Sequence, residues 1–119
     1  MAYVMTLPES SDFNFKGLSG FQFPLKNKGA DLIFADVKKG LDWFIVSQEI
    51  AHIYYVLDGE GYYTIEGKRY DVKPGMVVEI PPGIEYSYSG KMKVLLIHTP
   101  PFFQGNNQVI RDNPDVSGS

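Results

Sequence analysis

The chain has 119 residues, enough for one domain and too few for a second; a chain this size buries on the order of 65% of its unfolded surface. Its 11 basic and 14 acidic side chains are scattered without blocks, and the resulting net charge of -3 fits solubility rather than attraction to nucleic acid. The absence of cysteine removes disulfides, thiolate metal sites and cysteine nucleophiles together.

Residues 1–30 show no period, and GLSGFQFPLKNKGAD mixes glycine, proline and aromatics as an arm or set of edge strands does when it packs on a preformed body. The opening MAYVMTLPESSDF lacks the basic-then-apolar order of a signal peptide, and the longest apolar run, IYYVL, is far too short to span a bilayer. A cytoplasmic location and no membrane partner are therefore expected. From residue 31 to 103 the text becomes short runs rich in Val, Ile, Tyr and Phe: DLIFADV, DWFIVSQ, HIYYVL, YYTIE, KRYDV, MVVEI, EYSYS and KVLLIH. No segment has helical spacing with a cap. Gly67, Pro74-Gly75 and Pro81-Pro82-Gly83 fall where strands end, and Asp58-Gly59-Glu60-Gly61 reads as a hairpin turn. The pattern predicts an all-β antiparallel sandwich or barrel. Residues 104–119 are expected to form a polar tail that frays.

GMVVEIPPGIEY places Gly75, Pro81 and Gly83 in the order glycine, five residues, proline, one residue, glycine, with Tyr86 three positions further on. Upstream, SQEIAHIYYVLDGEG leads from His52 through a tyrosine-rich strand to a Gly-x-Gly. Together these resemble the two motifs of the cupin superfamily over roughly residues 38–103. The resemblance implies a single-domain jelly-roll β-barrel with a central pocket. Cupins typically hold a divalent metal with three histidines and a carboxylate, whose places here are taken by Val46, Gln48, Tyr86 and His52. Valine cannot bind, glutamine offers a neutral amide oxygen, and a phenol ionises only near pH 10. No cofactor is expected; a divalent metal, were one to bind, would use His52, Gln48 and Tyr86.

Strand alternation puts His52, Tyr54 and Val56 on one face. The resemblance implies that this face lines the barrel and that Gln48, Tyr86 and Tyr88 point into the same cavity, which makes Gln48, His52, Tyr54, Tyr86 and Tyr88 the expected ligand-binding set. Three readings of His52 stand side by side: a core histidine satisfied by a neighbour, a ligand contact or acid/base, and a metal ligand. The tyrosines are either strand packing or, at Tyr86 beside Gln48 and His52, part of a polar cluster within an apolar barrel. His98 ends an apolar strand and is structural unless parity turns it inward; Glu49 and Glu85 have the solvated parity.

By analogy of fold, the expected function is binding of a small polar metabolite of the sugar or sugar-phosphate class. One alternative is an isomerase, epimerase or lyase in which His52 moves a proton and Tyr86 donates to a developing oxyanion. Another is a dioxygenase-like metal-dependent cupin, against which the replaced ligands argue. The arm carries Tyr3, Phe13, Phe15, Phe21 and Phe23 and needs an apolar surface to cover, so a homodimer that exchanges arms is the expected assembly.

Overall fold

The computed structural model describes residues 3–15 and 18–116, apart from the side chain of Phe15. Among the described residues the fold is all-β: β1 (Phe13–Phe15), β2 (Leu18–Phe23), β3 (Asp31–Val37), β4 (Trp43–Ser47), β5 (Ala51–Ile65), β6 (Lys68–Val72), β7 (Val77–Ile80), β8 (Glu85–Thr99) and β9 (Asn107–Asp112). No helix long and apolar enough to cross a membrane occurs among these residues. All strand pairs are antiparallel, and the sheet curls as a jelly-roll barrel around Val37, Val56, Ile80, Met92 and Val94, whose side chains are fully buried.

The long strands β5 and β8 pair along their whole length and organise the rest. β3 lies against the second half of β8 and β4 against its start, while β7 and β6 occupy the far side of β5 in turn. The hairpin expected at residues 58–61 is absent. β5 continues through it, with a bulge where Val56 pairs Val94 and the next pair is Asp58 with Lys93. Glycine here serves close approach rather than reversal: a Cβ at Gly90 would sit 2.5 Å from the Gly61 Cα, and one at Gly61 would sit 2.3 Å from the Ser89 carbonyl oxygen. The two backbones can therefore turn a sharp corner together without separating. The bulge also switches parity, so that His52, Tyr54 and Val56 face inward before it and Tyr63 after it.

The true reversals lie where the turn residues of the sequence put them. Glu66 and Gly67, at φ 50° and 80°, close the β5–β6 hairpin, which needs two left-handed residues in succession.

Two further expectations change. The tail expected to fray forms β9, which pairs with β4 from Trp43 opposite Asp112 to Ser47 opposite Asn107. Its strand residues are exposed, which makes the composition look like a loop, but it is pinned at both ends by buried asparagines. The Gln48 N–H donates to the Asn106 carbonyl at 3.2 Å, and the Asn113 N–H to the Asp42 carbonyl at 2.6 Å. Between them Arg111 stacks 4.1 Å over the Phe44 ring and pairs with Glu85 at 2.6 Å. The arm, in turn, finds its apolar surface on its own barrel: β1 and β2 form a hairpin that adds to β3, from Leu18 opposite Val37 to Phe23 opposite Leu32.

Candidate functional site

A cavity of about 470 Å³ opens between the arm and the barrel. Phe13 and Leu18 from the arm, Ile33 and Ala35 from β3, Ile45 from β4, and Leu41, Leu96 and Phe102 make its apolar lining. His52 and Tyr54 reach it from β5, Tyr86, Tyr88 and His98 from β8, and Gln22 and Asn107 from the flanking strands.

The polar side chains are tied into one chain of hydrogen bonds. The Tyr54 and Tyr86 hydroxyls lie 2.6 Å apart, Tyr86 Oη is 3.0 Å from His52 Nδ1, His52 Nε2 is 2.7 Å from Ser47 Oγ, and Ser47 Oγ is 2.7 Å from Asn107 Oδ1. A backbone amide sets the direction of the whole chain. The Glu49 N–H can only donate, so it fixes the Asn106 amide with its oxygen facing Glu49, 2.9 Å away, and its nitrogen facing Asn107 Oδ1 at 3.0 Å. Ser47 therefore donates to Asn107, His52 Nε2–H donates to Ser47, the Tyr86 hydroxyl donates to His52 Nδ1, and Tyr54 donates to Tyr86. Burial and the neighbouring His98 push the His52 pKa from the ordinary 6.5 down to about 3, so the ring is neutral at pH 7, as this order of protons requires. Burial likewise raises Tyr54, Tyr86 and Tyr88 well above the ordinary phenol value.

Of the residues singled out in the sequence, His52, Tyr54, Tyr86 and Tyr88 meet at this wall. Gln48 does not: it is exposed beyond the end of β4, 3.4 Å from Gln108. The inward residues of β4 are Ile45 and Ser47, not Val46 and Gln48, because a shift of one residue moves every side chain of a strand to the other face. Ser47 thus takes the place beside His52 that Gln48 was expected to fill. Glu49 is exposed and Glu85 is engaged with Arg111 outside the cavity. His98 has the inward parity: it stands opposite Asp31 on one side and opposite His52 on the other, with the two imidazole centroids 4.7 Å apart. Ser47, Asn106, Asn107 and Asp31 had no signal in the residue pattern beyond their being small polar residues near strand ends.

The donor set does not fit a divalent metal. Both His52 nitrogens are engaged, the tyrosines are held as phenols, and Ile45 occupies the inward position of β4. Among the described residues no group of three or more His, Cys, Asp or Glu is arranged to hold one.

Barrel and pocket together define a cupin-fold protein, and the family model of the Cupin domain matches residues 46–98. No curated protein sequence matches the chain significantly. Among solved structures it is similar to Pac13 of Streptomyces, a nucleoside dehydratase, with a TM-score of 0.85 at 21% identity over 97% of this chain and 96% of that one. Pac13 is also known with uridine in variants that replace a histidine or a tyrosine. Ectoine synthase from P. lautus follows at a TM-score of 0.74, 18% identity and coverage of 94% and 92%, and KdgF from Halomonas sp. at 0.69, 13%, 82% and 94%.

Proposed function

We propose that the protein binds a small neutral metabolite of the sugar or nucleoside class in the barrel cavity. The observation that carries this reading is the ordered Tyr54–Tyr86–His52 chain on one wall of an otherwise apolar cavity of about 470 Å³. Tyr86 Oη accepts from Tyr54 and donates to His52, which leaves it one lone pair for a ligand hydroxyl or N–H. Tyr88 Oη has no hydrogen-bond partner among the described residues and supplies a donor. The described lining contains no Lys or Arg and both histidine pKa values are lowered, which favours the uncharged sugar or nucleoside over its phosphate. Uridine in the similarly folded Pac13 supports the same class.

A thermal-shift screen with uridine, other nucleosides, free sugars, their phosphates and divalent metals tests this. A neutral compound at about 100 times its Kd is expected to stabilise the fold by about 2.7 kcal/mol. Stabilisation by metals alone, or by none of these compounds, would overturn the reading. Acid–base chemistry of the isomerase, epimerase or lyase type is the second reading, supported by the two histidines at the cavity; product formation separates it from simple binding. No cofactor enters either reading. The proposal includes a homodimer, since Tyr3 and Val4 remain 87% and 84% exposed and would gain from cover; a monomeric mass in sedimentation at micromolar concentration would exclude it.

A further inference from the structure

The two histidines of the cavity differ in what their nitrogens are free to do. His52 has none to spare: Nε2–H is given to Ser47 and the Nδ1 lone pair is taken by Tyr86. His98 is bound on one side only. The Asp31 carboxylate, a pure acceptor, receives the Phe102 N–H at 2.8 Å, Gln22 Nε2 at 3.3 Å and His98 Nδ1 at 3.3 Å. Nδ1 of His98 therefore carries the proton, and Nε2 keeps a lone pair with no hydrogen-bond partner among the described residues, on a ring that lines the cavity. A nearly buried carboxylate behind an imidazole both holds its orientation and stabilises the cation it becomes.

We infer that His98, oriented by Asp31, is the group that accepts a proton from the bound molecule, and that His52 is a positioning residue that holds the Tyr86 hydroxyl. The assignment rests on the cavity being the ligand site. Transfer to Nε2 breaks an O–H or C–H bond of the ligand, leaves the electron pair on the ligand, and places the positive charge on the imidazolium beside the Asp31 carboxylate. The role expected for His52 from its place in the sequence thus passes to the histidine across the strand.

Long-range proton–nitrogen spectra of the wild-type chain, with ring signals assigned through the backbone, read the proton on each histidine directly. The titratable groups facing His98 are Asp31 from β3 and His52 from β5. The expected result is a proton on Nδ1 and a bare Nε2 at His98, which takes up a second proton first as the pH falls, and an Nε2–H ring at His52 that stays neutral. A proton on Nε2 of His98, or protonation of His52 first, overturns the inference. Asp31→Asn is expected to lower the His98 ring pKa and leave His52 unchanged; an unchanged His98 would make Asp31 merely structural. Should that variant fail to fold, the wild-type spectra still decide. Diethyl pyrocarbonate, which attacks a free imidazole lone pair, is expected to label His98 several-fold faster than His52, and equal rates would count against the inference. Saturating uridine is expected to slow that labelling. Selective labelling indifferent to uridine would remove nucleosides from the proposed function and leave the proton assignment standing.

Discussion

Tyr86 is the hinge of the polar chain, because its hydroxyl serves both Tyr54 and His52. Tyr86→Phe keeps the ring and strands two buried groups, so it is expected to fold and to lose about 1–3 kcal/mol in chemical denaturation, together with the stabilisation given by ligands of the screen. Tyr63 makes the opposite case within the same aromatic cluster, 5.1 Å from the rings of both Tyr54 and Tyr88. Its hydroxyl is buried without a hydrogen-bond partner among the described residues. Removing an unpaired buried hydroxyl relieves a desolvation cost, so Tyr63→Phe is expected to leave the melting temperature unchanged or raise it. A clear fall would reveal a partner for the hydroxyl, such as an internal water.

The strand elements follow from composition almost residue by residue where a strand ends in a true turn: DLIFADV is β3 and KRYDV is β6. Where glycine marks something else, local sequence misleads. Gly59, Gly61 and Gly90 look like turn residues and instead sit inside β5 and β8, since only the partner backbone across the sheet tells a reversal from a corner. Gly90→Ala tests that account. It would place a methyl 2.5 Å from the Gly61 Cα at a residue with φ 131°, combining a backbone clash with a conformation that suits glycine. A loss of about 2–6 kcal/mol is expected, enough to leave little soluble protein. Alanine at Gly67, which has open space around it, is expected to cost only the strain of its φ, about 1–3 kcal/mol. The site was legible to the same degree as the strands. His52, Tyr54, Tyr86 and Tyr88 share a wall as strand parity and the motif positions implied. Ser47 replaced Gln48 by a single-residue slip, and the asparagines that orient His52 come from a segment whose pairing with β4 no local pattern announces.

For the molecule as a whole, the neutral histidines make stability depend on pH. The His52 pKa is about 3 in the folded chain against an ordinary 6.5, and burial lowers His98 in the same direction despite Asp31. Between those values the unfolded chain binds a proton at His52 that the folded one does not, so stability is complete above about pH 6.5 and falls as the pH drops towards 3. The fall from His52 alone approaches about 1.4 kcal/mol per pH unit at its steepest. Urea midpoints between pH 8 and 4 are expected to show this slope in the native chain and a shallower one in His52→Gln; parallel curves would mean that the ring is already charged in the folded state.

The direction of the hydrogen-bond chain originates at Asn106 and Asn107, which are synthesised after every strand of the barrel that carries a tyrosine or histidine of the cavity. Without the segment that carries them, the aromatic wall of β5 and β8 would keep its residues, while the imidazole of His52 would lose the contact that fixes which nitrogen carries its proton. Shape and proton order in the pocket are thus written into different segments of the chain: β5 and β8 supply the wall, the segment opening β9 orients His52, and Asp31 of β3 orients His98 independently of it.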